Sequence, residues 1–293
     1  MEDPQKDIWS RWLLERRFGG DPERMKRVFD YLHPIRDKVL SQIHLEPNET
    51  LLDVGCGDGL IAFGALERFE ACNVIFSDIS EDLLTHSEAL ARKMGVADRC
   101  RFVRASADDL SVFPDGSVAA VTTRSVLIYV SAKQRAFDEF RRVLTQGGEL
   151  SIFEPINSFA FPEPPDRFDG YDVAPVADLA EKLGAHYERF QPSDTDPMGD
   201  FDERDLVSQA EKAGFSEIHL ELQIEVKPAL AVNTDWSAFI NTAMNPKIPT
   251  LAEAMQEIFT PAETEGFIKH LRPLVEAGQG VHRGAVAYLW ATK

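Results

Sequence analysis

The sequence predicts an α/β protein with a doubly wound, mainly parallel, seven-stranded sheet and a helical cap. Three observations support this fold class. An apolar strand pattern at residues 51–54 runs into a turn with glycine at every second position and then into a helix. Strand-like and helix-like segments alternate along most of the chain. Two long insertions interrupt this alternation, which indicates additional structure beside the sheet.

Short apolar runs that end at turn residues define the predicted strands. These strands lie at 50–55, 73–77, 100–104, 118–123, 148–153, 217–224 and 284–291. Amphipathic segments between them predict helices at 60–69, 81–94, 131–144 and 203–213. Ser131 and Gln134 have the spacing of a capping box at the start of the third of these helices, and Gly214 follows the fourth as a C-terminal stop.

The segments outside the alternation predict the helical cap. An N-terminal segment at 1–46 and insertions at 156–200 and 226–282 make up this cap. Both insertions leave from the carboxyl ends of predicted parallel strands, where sheets of this type bind ligands. The core is then expected at 47–155, with a continuation at 201–225 and a last strand at 283–293.

Local capping signals predict where the cap helices begin. The apolar positions of the first segment predict a helix over 5–18, and Asp21 before a proline predicts the N-cap of the next. In the second insertion, Thr250 and Thr260 are each followed three residues later by glutamate, which is a capping-box pattern. The second insertion is therefore expected to be folded.

Amino-acid composition limits the kinds of partner that the protein is expected to bind. The 293 residues include 31 basic and 49 acidic side chains, a formal net charge of −18. This balance argues against a nucleic-acid backbone or an anionic membrane as partner. Three scattered cysteines predict neither a disulfide framework nor a metal site, and with no signal pattern or spanning apolar run they favour a cytoplasmic location. A homodimer is left open.

The glycine turn predicts a nucleoside-containing cofactor. Gly55, Gly57 and Gly59 remove the side chains that would keep a ligand from the backbone, and the next helix directs free N–H groups at the same space. Asp78 ends the second predicted strand, where an acid binds a ribose diol in nucleoside-binding α/β folds. The acid at position 53 disfavours a pyrophosphate and favours an ammonium group.

Four segments extend this pattern into a family resemblance. They read LLDVGCGDG at 51–59, FSDIS at 76–80, FVRASADDL at 102–110 and FRRVLTQGGELSIFEP at 140–155. In order and approximate spacing, the chain resembles the class I S-adenosylmethionine-dependent methyltransferases. The resemblance covers residues 47–155 well, and residues 201–224 and 284–293 more loosely. It implies a Rossmann-like methyltransferase fold, S-adenosylmethionine as cofactor and a small-molecule methyl acceptor as substrate.

The resemblance also implies roles for individual residues of the cofactor site. Gly55 and Gly57 would approach the methionine part, Asp53 would hold its ammonium through water, and Asp78 would bind both ribose hydroxyls. The adenine face would lie on Ile79, and its edge would meet the segment 106–108. The complete expected set is Asp53, Gly55, Cys56, Gly57, Gly59, Asp78, Ile79, Ser106, Ala107, Asp108, Thr123 and Arg124.

The adenine edge is where the sequence departs from the family. Many members carry aspartate where Ser106 stands, to accept a hydrogen bond from the adenine amino group. Two alternatives follow. Either Ser106 accepts this bond more weakly, or the neighbouring Asp108 takes it over.

Four residues are candidates for the catalytic side of the site. Arg124 follows the fourth strand and suits a carboxylate of the cofactor or substrate, or else an acid of the cap. Tyr129 borders the same edge or belongs to the core. Glu154 ends the fifth strand and could orient or deprotonate a nucleophile, or pair with a cap arginine. His186 is a candidate base in the first insertion.

Three functions compete for this pattern. The leading one is in-line methyl transfer to a small molecule enclosed by the cap, where apolar substrate could stack on Trp236 and Phe239. A non-catalytic module that binds S-adenosylmethionine or S-adenosylhomocysteine is an alternative, and the unusual Arg124 favours it slightly. An NAD-dependent oxidoreductase is disfavoured because Ala62 and its neighbours replace the further glycine that its fingerprint requires.

Overall fold

The computed structural model describes residues 6–17, 22–229 and 234–293, so that the predicted N-cap Asp21 lies outside the described residues. The chain divides into two compact units. The first, here called the helical unit, comprises Met1–Val28, Asn157–Asp200 and Ile224–Ala285. The second, here called the sheet unit, comprises Phe29–Ile156, Phe201–Gln223 and Val286–Lys293. Residues 29–46, grouped above with the N-terminal cap segment, belong to the sheet unit.

The structure contains a seven-stranded sheet and a separate two-stranded ribbon. The strands are β1 (Thr50–Val54), β2 (Asn73–Asp78), β3 (Cys100–Arg104), β4 (Val118–Arg124), β5 (Leu144–Pro155), β6 (Arg167–Phe168), β7 (Tyr171–Asp172), β8 (Ser216–Pro228) and β9 (Val281–Thr292). The helices are α1 (Ile8–Arg11), α2 (Pro22–Ser41), α3 (Leu60–Arg68), α4 (Glu81–Met94), α5 (Lys133–Val143), α6 (Ala177–Glu188), α7 (Glu203–Ala213), α8 (Trp236–Asn241), α9 (Leu251–Ile258) and α10 (Pro261–Glu276).

Strand order confirms the predicted doubly wound sheet. The order is β3-β2-β1-β4-β5-β9-β8, and β1 to β5 all pair in parallel where they meet. The last strand, β9, runs antiparallel to β5. Because β1 has β2 on one side and β4 on the other, the strand order reverses there, and a crevice at the carboxyl ends of these strands is the usual ligand position.

The predicted strands all form, and two helix starts differ from prediction. Helix α5 begins at Lys133, and its N-cap Ala132 makes no side-chain bond, so the predicted capping box with Ser131 is wrong. The amide of Gln134 instead donates to Asp138 and to the Gln209 carbonyl. The predicted helix over 5–18 is shorter, because Asp7 caps α1 at the N–H groups of two later residues and a π-helical turn, Trp12–Arg16, follows.

Aromatic packing fills the sheet unit on one side of the central strands. Phe76 of β2 is fully buried and contacts the rings of Phe63 and Phe102 at centroid distances of 5.0 and 4.8 Å. Strand β1 is buried at four consecutive positions after its first residue, as expected for a parallel strand covered on both faces. These contacts hold β1 and β2 rigidly beneath the glycine turn.

An arginine joins α5 to the loop between β3 and β4. Nε and Nη2 of Arg142 donate to the two carboxylate oxygens of Glu139, at 2.7 and 2.9 Å. The same group donates to the carbonyls of Phe113 and Leu110 at 2.9 and 2.8 Å and to Asp115 at 2.7 Å. Because these charge-assisted bonds close the loop onto the helix, Arg142 should contribute more to stability than a surface ion pair does.

The helical unit has a hydrophobic core of its own. Phe267, Leu271 and Val275 of α10 are fully buried in this core, and the rings of Trp236 and Phe239 pack against it. Capping boxes form at Thr250 and Thr260, as predicted. The backbone N–H of Thr260 lowers the pKa of Glu263 to about 2, with Lys182 adding to this shift. Among the described residues, none of the helices combines the length and the apolar character that crossing a bilayer requires.

We expect Arg142→Met to lower the free energy of unfolding by about 2–3 kcal/mol, because buried carbonyls and Glu139 lose charge-assisted bonds. Urea unfolding followed by circular dichroism measures this change. Arg92→Met is the matched control, since Arg92 is 67% exposed and makes only an i,i+4 pair with Glu88. The control should change stability by no more than about 0.5 kcal/mol. Equal losses in the two variants would show that the Arg142 contacts do not stabilise the unit.

Candidate active site

The turn after β1 has the left-handed backbone that glycine allows. Gly55 and Gly59 have φ values of 65° and 83°. A Cβ atom added to Gly55 would lie 2.4 Å from Cγ2 of Val126, which is too close for any other residue. The chain therefore has no room for a side chain at this position between the turn and the segment that follows β4.

Asp78 is fixed in orientation by the glycine turn. Its Oδ2 accepts a hydrogen bond from the Gly57 N–H at 2.8 Å, and its Oδ1 accepts one from the Ser80 N–H at 2.9 Å. A carboxylate presents its two acceptor oxygens side by side, and these two bonds fix the plane in which they lie. Next to it, Ile79 is 43% exposed, an unusual degree for isoleucine. The pair combines a fixed acceptor with an open apolar surface.

Asp53 is buried beneath the turn. Its Oδ1 accepts from the Thr122 hydroxyl at 2.9 Å, and its Oδ2 accepts from the Ala62 N–H at 3.2 Å. Burial raises the pKa of Asp53 to about 7, although Thr122, Arg124 and Ala62 each lower it. The carboxyl therefore changes charge near neutral pH. Burial also raises the pKa of the Cys56 thiol well above its usual range, so this cysteine is not a nucleophile.

Two buried oxygens at this edge lack hydrogen-bond partners among the described residues. They are Oδ1 of Asp58 in the glycine turn and Oγ1 of Thr123 near the end of β4. Buried polar atoms are normally paired, so unpaired ones beside an accessible turn indicate a place for a polar ligand. Acceptors of this kind fit an ammonium group or a hydroxyl and do not fit a phosphate. The site thus suits the cofactor that the sequence resemblance implies.

The segment 106–108 presents a carboxylate. The hydroxyl of Ser106 donates to Oδ1 of Asp108, and the side chain of Ala107 is buried. Since the Ser106 hydroxyl hydrogen is committed to Asp108, the acid is the stronger free acceptor of the two. This geometry favours the alternative in which Asp108 meets the adenine edge.

Arg124 is the last residue of β4, and Tyr129 lies on the segment that follows. Arg124 is half-buried, and within the described part of the chain its guanidinium has no hydrogen bond or ion pair, only an electrostatic interaction with Asp53. A partly buried cation in this state favours an anionic ligand. Ser125, which follows Arg124, has a left-handed φ of 56°. Tyr129 is half-buried, and its N–H donates to the Val126 carbonyl at 2.9 Å.

Glu154 and His186 lie in different units. Glu154 is fully buried, and its oxygens accept three backbone N–H bonds from the segment after β4. His186 is 4% exposed on α6, and its Nε2 lies 3.0 Å from Glu257, although the angles do not make a hydrogen bond. Trp236 and Phe239 stack on each other at 5.8 Å within the helical unit.

Sequence reasoning missed three contributors to the site. Thr122 orients Asp53, the N–H groups of 126–128 bind Glu154, and Lys133 acts electrostatically on Glu154. Hydroxyl residues on a strand beside an acid could have indicated Thr122, because facing positions on parallel strands pair side chains. Nothing in the local sequence indicated the N–H groups of 126–128 or the effect of Lys133, because both depend on which residues the fold brings close to Glu154.

Comparison with known families agrees with this geometry. Residues 51–148, from the start of β1 to the middle of β5, match the family model described as a methyltransferase domain. That segment contains the glycine turn, Asp78 and Arg124. Among the described residues, no group of three or more His, Cys, Asp or Glu side chains is arranged so that it could hold a metal ion.

Individual relatives extend the similarity. The demethylmenaquinone methyltransferase of Clavibacter sepedonicus is 30% identical over 173 residues, which are 58% of this chain and 66% of that protein. The ubiquinone/menaquinone biosynthesis C-methyltransferase UbiE of Citrobacter koseri is 34% identical over 108 residues, 36% of this chain and 42% of that protein. The chain thus matches less than two thirds of the length of either relative.

A solved structure shows the same fold. Geranyl diphosphate C-methyltransferase from Streptomyces coelicolor A3(2) aligns with a TM-score of 0.52 and 17% identity, over 95% of this chain and 88% of that one. At this identity the likeness concerns the fold. Residues 51–148, which contain the glycine turn and the fixed Asp78, are therefore a methyltransferase domain, in agreement with the resemblance to the class I S-adenosylmethionine-dependent methyltransferases.

Proposed function

We propose that the protein transfers a methyl group from S-adenosylmethionine to a small molecule. The bond from the Gly57 N–H to Asp78 is the observation that carries the proposal most directly. It joins the glycine turn to the acid of β2 and fixes the orientation of that carboxylate beside exposed Ile79. A nucleoside fits this combination, because its ribose diol needs paired acceptors and its base needs an apolar face.

Each part of the cofactor has a proposed partner in the sheet unit. The backbone of Gly55, Gly57 and Gly59, with Cys56 between them, borders the methionine part. The buried oxygens of Asp53, Asp58 and Thr123 attract the ammonium directly or through water. Ile79, Ala107 and Asp108 contact adenine, with Ser106 holding Asp108 in place.

Arg124 is proposed to bind the carboxylate of the cofactor. A guanidinium beside a sulfonium is electrostatically unfavourable unless an anion lies between them or beside both. The cofactor supplies a carboxylate in every complex, whereas an acceptor supplies one only if it is itself an acid. The planar donors of Arg124 suit such a group.

The chemistry requires alignment more than proton transfer. The cofactor supplies a methyl group that is already activated on sulfur. The residues around it need to exclude water and hold the acceptor atom in line with that bond. Tyr129 is proposed to border the acceptor. His186, in the helical unit, keeps a proposed role as base only for acceptors that must lose a proton.

The acceptor is proposed to be a small apolar molecule methylated on carbon. One relative is a demethylmenaquinone methyltransferase, and another, UbiE, is a C-methyltransferase of ubiquinone and menaquinone biosynthesis. The net charge of −18 weighs against nucleic-acid acceptors. Enclosure of the acceptor by the segments 1–46, 156–200 and 226–282 stays a prediction, as do the cytoplasmic location and a homodimer.

The alternatives predict different binding or turnover. A non-catalytic module would bind S-adenosylmethionine and S-adenosylhomocysteine without forming product from any acceptor. An oxidoreductase would bind NAD, which the acids at 53 and 58 disfavour beside a pyrophosphate. Incubation with radiolabelled S-adenosylmethionine and a panel of reduced quinones and prenyl compounds tests turnover. Labelled product from any acceptor excludes the non-catalytic module.

Asp78→Ala should weaken binding of S-adenosylhomocysteine by about 10- to 100-fold, because a carboxylate that accepts from two hydroxyls is lost. Isothermal titration with S-adenosylmethionine, S-adenosylhomocysteine and NAD measures the affinities. Asp138→Ala is the control, since Asp138 is an exposed acid on α5. Unchanged affinity in Asp78→Ala, or NAD binding by the unmodified protein, would contradict the assignment.

The affinity for S-adenosylhomocysteine should rise several-fold from pH 6 to pH 8. Burial raises the pKa of Asp53 to about 7, so the carboxyl becomes ionised over this range and attracts the ammonium of the ligand more strongly. Asp53→Asn should bind more weakly and lose most of this pH dependence. Titration at pH 7 in buffers of different ionisation enthalpy should show proton release. Proton uptake, or the same pH dependence in Asp53→Asn, would contradict the sign of this effect.

Arg124→Met should weaken binding of S-adenosylhomocysteine by about tenfold and leave binding of its decarboxylated analogue unchanged, because only the first ligand has the carboxylate. Arg135→Met, which removes an exposed arginine of α5, is the control. Equal losses for both ligands would indicate a general effect of charge. No loss for either would assign Arg124 to an anionic group of the acceptor.

A further inference from the structure

Glu154 at the end of β5 is bound by three consecutive backbone N–H groups. Its Oε1 accepts from Val126 at 2.9 Å and from Leu127 at 3.0 Å, and its Oε2 accepts from Ile128 at 3.3 Å. The side chain is fully buried. Both oxygens are therefore occupied by the segment after β4, which leaves this carboxylate poorly placed to take a proton from a substrate.

A lysine holds the far end of the same segment. Lys133, at the start of α5, is 4% exposed, and its ammonium donates to the Val130 carbonyl at 3.0 Å. It lies over the Phe201 ring at 4.8 Å and lowers the pKa of Glu154 electrostatically. Residues 126–130 are thus held at one end by the Glu154 carboxylate and at the other by the Lys133 ammonium.

The segment held in this way packs on the glycine turn. Val126 occupies the space that a Cβ of Gly55 would need, 2.4 Å from that position. Ser125 adopts its left-handed φ of 56° immediately before the held residues, and an unfavoured backbone of this kind persists only where the surroundings impose it. The Ser125 N–H donates to the Phe153 carbonyl at 2.8 Å, and the bonds to Glu154 begin at the next residue.

We propose that Glu154 is a positioning residue that holds residues 126–130 against the glycine turn and thereby sets the places of Arg124 and Tyr129 beside the cofactor. The inference rests on the proposed function. Glu154 acts through the segment, touches neither cofactor nor acceptor, and transfers no proton. This role explains why an acid is buried at the end of β5 with backbone donors as partners.

The charge state of Glu154 offers a direct signature of this role. Burial raises the pKa of its carboxyl to about 7, while the three N–H groups and Lys133 lower it. An ionised carboxylate accepts all three bonds, whereas a protonated one places a hydroxyl hydrogen toward a donor and weakens at least one. The amide proton shifts of residues 126–128 should therefore titrate near neutral pH.

The first measurement is an NMR titration of these amides in the unmodified protein and in Glu154→Gln. Glutamine keeps the size of the side chain but points an NH₂ group at one of the three donors. We expect the titration near pH 7 to vanish in Glu154→Gln and to persist in Asp53→Asn, whose own carboxyl is removed. Persistence of the titration in Glu154→Gln would overturn the assignment.

The second measurement is the affinity for S-adenosylhomocysteine. We expect Glu154→Gln and Val126→Ala each to weaken binding five- to twentyfold. The affinity of the double variant should be within about twofold of the affinity of the single variant that binds less tightly. The two losses should not add, because both substitutions act through one contact. Ser151→Ala, which removes a buried hydroxyl from the same strand, controls for general destabilisation and should bind within twofold of the unmodified protein.

The outcomes separate the two proposals. Normal binding by Glu154→Gln, or fully additive losses in the double variant, would overturn the positioning role while leaving the proposed function intact. Absence of S-adenosylhomocysteine binding by the unmodified protein would overturn the proposed function, and the positioning role with it.

Discussion

The contact between Gly55 and Val126 is the constraint on which the arrangement of the candidate active site depends. The Val126 side chain fills the space that a Cβ of residue 55 would need, so the turn after β1 and the segment after β4 pack at a distance that favours glycine. Strand β1 lies between β2 and β4, and their carboxyl ends reach the same edge. The close approach therefore fixes Asp78 on one side of the turn and Arg124 on the other relative to the same few backbone atoms.

Buried acids around this turn differ in what they can do because their partners differ. Asp78 is fixed in orientation by two backbone N–H groups at the end of β2, where its carboxylate is proposed to bind a ligand with paired hydroxyls. Asp53 is also buried, which raises its pKa to about 7, and its proposed role is electrostatic. Glu154 has both oxygens bound by backbone and acts on structure. The partners of each carboxylate, more than its residue type, decide its role.

The proposed cofactor contacts all lie in one part of the chain. The family match at 51–148 lies wholly within the sheet unit and contains the proposed cofactor contacts. The helical unit has its own hydrophobic core, built largely on α10, and its own capped helices. An independently packed unit can vary in sequence without disturbing the glycine turn, which is how one cofactor site can serve many acceptors.

The sequence by itself determined the features that depend on neighbouring residues. The glycine turn, the acid at the end of β2, the seven strands and the capping boxes at Thr250 and Thr260 are local patterns of backbone freedom, burial and hydrogen bonding. Such patterns act over a few residues, so they can be interpreted before the chain is folded.

The tertiary structure alone decided the features that depend on distant residues. Glu154 meets the N–H groups of a segment 26 to 28 residues away. The side chain of Lys133 is buried against Phe201, 68 residues later, at the point where α5 begins, whereas a capping signal had predicted an earlier start. Trp236 and Phe239 pack against the core of the helical unit. These contacts form on burial, because a buried apolar or charged side chain needs partners and finds them among the residues that the fold brings near. The order of residues in the sequence does not show which residues those will be.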